Sequence, residues 1–469
     1  MIRLRTAALL LGASSLAACN LAPHYVRTVS ESVPQQWPSG AAYAPAATGK
    51  AGMPWRTLIT DAKLRTVIER ALANNQDLAA AVANVASARA QYRVQRSSQL
   101  PTLSADAGAT ISRNVTGGGT SGSGTATSGS GSTFSANAGV SGFELDLFGR
   151  LKNLSRAAFE TYLSTDSGAR STRFAVVSET ATAYLTVASD SDLLKVSQAQ
   201  VQSGAQTVRL NEELHDTGLV SGADVADART LLAQAQADMA QNTTQVAQDR
   251  NALELLVGAP VEDALLPTSL DALDPVIANV PAGLSSDVLL DRPDVVEAEH
   301  QLKAANANVG AARAAFFPTI SLTSVLGLAS TALTKLFSGS TWSTSPSISV
   351  PILGGTDRGN LDYARAQVDY YLATYRKAAQ TAYRDVADGL ARRGTIVRQR
   401  QAQADLVAAA QKSYAINEAR YREGTDSFLT ALVAQRTLYS ARQTAIAAEL
   451  TDLTNRVTLY QAIGSDDTL

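Results

Sequence analysis

Residues 101–112 read Pro101-Thr102-Leu103-Ser104-Ala105-Asp106-Ala107-Gly108-Ala109-Thr110-Ile111-Ser112. Leu103, Ala105, Ala107, Ala109 and Ile111 alternate with Ser104, Asp106, Thr110 and Ser112, and a period of two is the side-chain period of a strand. A stretch almost wholly of Gly, Ser and Thr at 116–132 reads as a flexible loop. Alternation resumes with Phe134, Ala136, Ala138 and Val140 against Ser135, Asn137 and Ser141. The pattern returns twice more. Ile320, Leu322, Leu326 and Leu328 alternate with Thr319, Ser321 and Thr323, then Trp342, Ile348, Val350 and Ile352 with Ser343, Ser345, Ser347 and Ser349. Four strands of about ten residues, apolar on one face and small-polar on the other, match a transmembrane β-barrel. A half-buried soluble sheet gives the same alternation, so the pattern alone leaves both readings open.

Outside these strands the chain reads as helix. None of its 14 prolines lies between Thr102 and Pro260, and none follows Pro351. Proline breaks helix interiors, so its absence permits helices from Gly149 to about Asp216 and from about Asp357 to Glu423. At roughly 1.5 Å per residue each reaches about 100 Å, a length that calls for coiled-coil packing. Leu432, Tyr439, Ile446, Leu453 and Tyr460 recur every seven residues, the spacing of a helix-packing seam.

The two halves repeat each other. A shift of 217 residues lays Asn74, Asp77 and Leu78 on Asp291, Asp294 and Val295, and Arg96, Pro101 and Ser104 on Arg313, Pro318 and Ser321. Ala228-Arg229-Thr230-Leu231 likewise matches Gln435-Arg436-Thr437-Leu438, with glycine turns upstream at Gly218 and Gly424. Each half reads as helix, strand, loop, strand, long helix, turn, helix. Four strands cannot close a barrel in lipid, where open edges are not tolerated, and about eight is the minimum. Copies of the chain must therefore share one barrel, and three copies supply twelve strands.

Composition narrows the function. Lys+Arg number 40 and Asp+Glu 42, a net charge of -2, which argues against nucleic-acid binding. One cysteine excludes an internal disulfide and a Cys-based metal site, and His24, His215 and His300 are far apart in sequence. Gly117-x-Gly119-x-x-Gly122 matches a dinucleotide fingerprint in letters only, because no helix start follows it. No catalytic constellation, cofactor site or metal site is expected. At the N-terminus, Arg3 and Arg5 precede an apolar run too short to span a bilayer as a helix. The run ends in Leu16-Ala17-Ala18-Cys19, which resembles a bacterial lipobox. That resemblance implies cleavage of residues 1–18, diacylglycerol and palmitate on Cys19, and, with Asn20 following, export to the outer membrane.

The motifs taken together resemble the outer membrane factor (TolC-like) family, and within it the OprM/NodT-type efflux lipoproteins. They include residues 55–78, Phe143-Glu144-Leu145-Asp146-Leu147-Phe148-Gly149-Arg150, Arg292-Pro293-Asp294-Val295, Ala304-Ala305-Asn306, residues 311–318 and residues 424–436. The resemblance implies a mainly α homotrimer with a long α-helical coiled-coil barrel and a 12-strand outer-membrane barrel to which each chain gives four strands. It implies a periplasmic adaptor and an inner-membrane pump, of the resistance-nodulation-division class, as partners. The segments expected are 1–18 signal peptide, 19–62 lipidated equatorial arm, 63–259 first repeat, 260–290 connector, 291–463 second repeat and 464–469 tail.

The functional residues follow from the same resemblance. Gly218, Leu219, Val220 and Ser221, with Gly424, Thr425 and Ser427, would form turns that meet the adaptor. Asp426, Leu429, Val433 and Arg436 would form the periplasmic gate. Val433 stands where an aspartate is common, which implies weaker cation selectivity. Two other readings stay open: a lipid-anchored periplasmic coiled-coil scaffold without a pore, and a type I secretion duct of the same fold.

Overall fold

A computed structural model describes residues 20–27, 33–34, 36–43, 54–114, 129–278, 286–352, 354–464 and 466. Cys19 and the expected signal peptide lie outside these residues. The elements in order are α1 (Trp55–Leu58), α2 (Ala62–Asn74), α3 (Gln76–Ser97), β1 (Leu103–Asn114), β2 (Gly129–Leu145), α4 (Arg150–Asp216) and α5 (Gly222–Val257). Short 3-10 turns lead to α6 (Pro293–Ala314), β3 (Thr319–Ser330), β4 (Ser340–Ser349), α7 (Gly355–Arg422) and α8 (Phe428–Ile463). The duplication is visible in lengths: α4 and α7 have 67 and 68 residues, and α5 and α8 have 36 each. Among the described residues no helix is long and apolar enough to cross a membrane.

The chain divides into two compact units. The first holds the described parts of Met1–Val26, Ala86–Leu163 and Glu299–Ala373. Its strands form one antiparallel sheet in the order β1-β2-β3-β4. The register sets Ala105 beside Ala138, Leu326 and Trp342, and Asp106 beside Asn137, Gly327 and Thr341. One face thus carries Leu103, Ala107, Ile111, Phe134, Ala136, Val140, Leu328 and Ile348, while the other carries mostly Ser, Thr, Gly and Asn, with Asp106, Val325 and Ala329 among them. Ile111, Trp342 and Ile348 are 81%, 79% and 68% exposed, so among the described residues nothing covers this part of the apolar face. β1 and β4 each have a partner on one side only, leaving two open edges.

Two strand boundaries differ from the sequence reading. β2 begins at Gly129, inside the stretch read as a loop, because β1 offers backbone partners out to Asn114 and pairing needs no side chain. β4 ends at Ser349, so Val350 and Ile352 fall beyond it, on either side of Pro351, which has no N–H to donate. The register between β2 and β3 slips between Val140 and Phe143. Gly142 takes a φ of 64° at this bulge, a conformation that favours glycine.

Local chemistry explains the joints. Arg150 donates from Nε and Nη2 to the two oxygens of Glu144 at 2.9 and 2.6 Å, and Asp146 accepts from the Lys152 N–H at 2.7 Å. The Phe143–Arg150 motif is thereby a clamped turn that caps α4. Phe148 stacks on Phe317 with centroids 4.6 Å apart, and Trp342 lies near the opposite ends of the strands.

The second unit holds the described parts of Arg27–Val85, Ser164–Ala298 and Thr374–Leu469. Trp55, Leu58, Ile59, Leu64, Ile68, Leu253, Leu270 and Ile277 are fully buried in it. The Trp55 backbone N–H and the Tyr460 hydroxyl both donate to Oδ2 of Asp466, at 2.7 and 2.8 Å. On α8 the seven-residue stripe turns inward: Leu432, Leu453 and Tyr460 are buried, and Tyr439 and Ile446 half-buried. The bulky Tyr439 fits the seam because its hydroxyl reaches Asp238 at 3.0 Å. Arg292 forks onto Asp294 at 2.9 and 2.7 Å and donates to the Ala462 carbonyl at 2.6 Å. The Arg-Pro-Asp-Val run is a helix start that also fastens the end of α8.

Candidate functional site

The two helix turns are built alike. Gly218 and Gly424 have φ of 75° and 71°. The N–H of Leu219 reaches the Leu214 carbonyl at 2.9 Å, and that of Thr425 the Arg420 carbonyl at 2.9 Å. Each is a glycine-terminated helix end that satisfies the last carbonyls. Ser221 then caps α5 through a reciprocal box with Asp224. His215 bonds the Val220 carbonyl at 3.0 Å, so it belongs to the turn itself. The turns stand on a core of Val208, Ala228, Tyr421, Phe428, Ala431 and Leu432. Leu219 projects from it 73% exposed.

Polar bonds join the two hairpins just behind these turns. The Tyr421 hydroxyl donates to Asn211 Oδ1 at 2.7 Å, and Gln435 donates to Ser203 Oγ at 3.0 Å. Sequence reading missed these partners because they lie more than two hundred residues apart.

Leu429, Val433 and Arg436 share one exposed face of α8, with Leu429 62% and Val433 56% exposed. Arg436 has no hydrogen-bond or ion-pair partner among the described residues. Asp426 is occupied differently. Its carboxylate accepts from the Ser427 N–H at 2.8 Å and the Thr430 hydroxyl at 3.1 Å, and Arg420 stands 3.4 Å away. The Ser427 and Thr430 bonds, with Arg420, hold it below the usual carboxylate range. Asp426 is therefore a turn-stabilising group in this chain.

A second polar cluster was illegible in sequence. Asp274, on the connector, takes Arg456 Nη2 at 2.7 Å and Arg400 Nη2 at 3.2 Å. The same arginines reach Asp452 at 2.6 and 2.7 Å, and Arg456 also donates to the Ile277 carbonyl at 2.8 Å. Burial pushes Asp274 up, yet Arg400 and Arg456 hold it lowered. Burial and neighbouring Asp271 push Glu449 up to about 7. The spacing of Asp452 and Arg456 was the one signal available.

Asp190 of α4 faces Asp249 of α5. Burial, then the hydrogen bond and charge of Asp249, push Asp190 up to about 7. Asp249 Oδ1 accepts from the Gln245 amide at 2.9 Å, while its Oδ2 is buried with no hydrogen-bond partner among the described residues. The folded state thus holds the Asp190 proton more tightly than the unfolded chain does. The pair costs nothing below the ordinary carboxylate range, and stability falls as pH rises from there toward 7. Asp190→Asn is expected to raise heat resistance at pH 8 and to leave it unchanged at pH 4. Unfolding midpoints measured across that range check this.

Among the described residues no group of His, Cys, Asp or Glu is arranged to hold a metal ion.

The sequence profile described as outer membrane efflux protein matches residues 67–259 and 284–465, one match per repeat. The toluene efflux pump outer membrane protein TtgC of Pseudomonas putida is 44% identical over 459 residues, covering 96% of this chain and 93% of that protein. The cation efflux system protein CusC of Escherichia coli is 37% identical over 460 residues, covering 96% and 97%. A crystal structure of CusC superposes with a TM-score of 0.83 at 35% identity, covering 95% of this chain and 100% of that one. The open-state MtrE channel of Neisseria gonorrhoeae superposes with a TM-score of 0.82 at 32% identity, covering 95% and 98%.

Proposed function

The chain belongs to the outer membrane efflux protein family, and from that premise we propose that it is the outer-membrane channel of a tripartite efflux system, passively conducting what an inner-membrane pump delivers through a periplasmic adaptor. The observation that carries this reading is the four-stranded sheet. It has an uncovered apolar face, a Ser/Thr face and two open edges. In lipid such a sheet is viable only when its edges are closed. Three copies close it into twelve strands, the apolar face meeting lipid and the hydroxyl face lining water. The pore-free scaffold offers no use for this sheet.

Cys19 carries the lipid anchor, and residues 63–259 and 291–463 are the two repeats, joined by the 260–290 connector. The turns at Gly218–Ser221 and at Gly424, Thr425 and Ser427 meet the adaptor. Exposed Leu219 supports this, since an apolar side chain at a turn gains from a partner's cover. Leu429, Val433 and Arg436 line the gate, and Asp426 braces it from the turn. The pump is of the resistance-nodulation-division class. The named cargo of the relatives ranges from toluene to cations at comparable similarity, which supports a duct that leaves the choice of cargo to its pump. It performs no catalysis.

Two measurements test this reading. The mature protein, extracted in mild detergent, is expected to have the native mass of a trimer; a monomer in several detergents favours the scaffold. In cells lacking the chain, the Leu219→Asp, Val220→Asp double variant is expected to leave toxicant susceptibility at the level of the deletion, with trimer mass and membrane amount unchanged. Full complementation by that variant removes the docking assignment.

A further inference from the structure

The hydroxyl face of the sheet carries almost no charge. From the register, its residues are Ser104, Asp106, Gly108, Thr110 and Ser112 on β1, then Gly131, Thr133, Ser135, Asn137 and Gly139 on β2. β3 gives Thr319, Ser321, Thr323, Val325, Gly327 and Ala329, and β4 gives Thr341, Ser343, Ser345, Ser347 and Ser349. Glu144 joins this face beside Ser321, but Arg150 neutralises it with a two-point bond. Asp106 is exposed and its side chain has no hydrogen-bond or ion-pair partner among the described residues.

Its neighbours leave it so. Asn137, directly opposite, lies over Gly327, where a Cβ would collide with the Asn137 amide oxygen. On its other side β1 has an open edge. The strand that closes it in an assembly of copies is the β4 of the next subunit, whose hydroxyl face offers Thr341 and serines only, whatever the register. Arg113 is seven positions further along β1, about 24 Å at 3.4 Å per residue. Lys335 sits in the turn between β3 and β4, off this row.

We propose that Asp106 is the charge-selecting residue of the outer-membrane lumen, three copies forming a ring of carboxylates that concentrates cations there. The proposal rests on the trimeric channel reading. Twelve strands at about 4.8 Å spacing and a tilt of about 40° give a radius of roughly 12 Å, which places the carboxylates about 9 Å from the axis. That is comparable to the screening length of about 8 Å at 0.15 M salt, and screening shortens to about 3 Å at 1 M. The ring therefore acts across the lumen at low and physiological salt and vanishes in concentrated salt. It acts most on multivalent cations, since its pull scales with their charge.

The test uses the full trimer in planar bilayers. In 50 mM KCl, Asp106→Asn is expected to lower the potassium-to-chloride permeability ratio at least about threefold, and Asp106→Lys to lower it further. At 1 M KCl the three proteins are expected to coincide, which shows that the variants fold. Spermine added on the barrel side is expected to block the parent, and Asp106→Asn to need about tenfold more for equal block. Comparing parent with variant cancels any contribution of Arg436. A trimer that conducts while Asp106→Asn changes neither the ratio nor the block overturns the proposal alone. A chain with no trimer and no conductance overturns the channel reading itself.

Discussion

Arg456→Met is expected to lower the heat-dissociation midpoint of the assembled protein by roughly 4 °C, since about 1 kcal/mol moves the midpoint of a chain this long by about 1 °C. Arg456 serves four acceptors at once: the carboxylates of Asp274 and Asp452 and the carbonyls of Asp274 and Ile277. Methionine fills much of the same volume but leaves Asp452, only 5% exposed, with Arg400 as its hydrogen-bonded cation and Arg393 acting on it by charge. Breaking one side of such a buried pair costs about 3–5 kcal/mol, far more than an exposed ion pair contributes. The groups around it are Asp271, Asp274, Glu449 and Asp452 against Arg393, Arg400 and Arg456, so removing one cation leaves the acids in clear excess.

The sign of the pH dependence follows. With Arg456 gone, Asp274 loses a group that held it lowered, and protonating the cluster becomes the remedy. The deficit is expected to be smaller at pH 5 than at pH 8. Adding Asp274→Asn to Arg456→Met is expected to recover part of the loss at pH 8. Protease cutting within the connector should rise in parallel, because Arg456 pins Asp274 and Ile277, and Ala278 pairs with the Leu58 carbonyl at 2.7 Å beside them. A midpoint within about 1 °C of the parent, on an effect expected at about 4 °C, shows that Arg393 and Arg400 carry the cluster without Arg456.

This cluster also marks the limit of what the sequence disclosed. The distribution of proline and the period of seven make the long helices legible almost to the residue, and the period of two places the four strands while leaving the start of β2 and the end of β4 several residues off. α4 was read from Gly149 and begins at Arg150; α7 was read to Glu423 and ends at Arg422. Those signals are local, since backbone pattern is set within a few turns. Asp274, Arg400 and Asp452 are brought together from three distant segments, and nothing in their neighbourhoods announces it. The turns were legible because glycine at a helix end has a local cause. That Asp426 bonds Thr430 and faces Arg420 was not, because only the folded turn selects among its donors. Closure with further strands follows from the cost of an open edge in lipid, and the sheet's exposed apolar face and two unpaired edges are in keeping with it.

The gate proposed at Leu429 and Val433 contrasts with the lumen proposed for the sheet. Leu429 and Val433 are one helical turn apart on the same exposed face of α8, so three copies would stack two apolar collars. Such a collar excludes ions by its reluctance to stay wet and chooses little between their signs. Val433→Asp is expected to raise the potassium-to-chloride permeability ratio by about tenfold, because a carboxylate at a narrow, low-dielectric constriction acts far more strongly than one across a broad lumen. Arg436 tempers this. It lies three residues on, within reach of the introduced carboxylate, and a pair formed there neutralises part of the new ring. Val433→Asp with Arg436→Gln is therefore expected to exceed Val433→Asp alone, while Arg436→Gln by itself should only remove a cation from an otherwise apolar level. Reversal potentials in a salt gradient separate these cases. If both variants carrying the aspartate match the parent, residue 433 does not line the narrowest level, and the gate must be sought elsewhere on α8. If the double variant alone responds, the position is right and Arg436 is the group that sets the charge of the aperture.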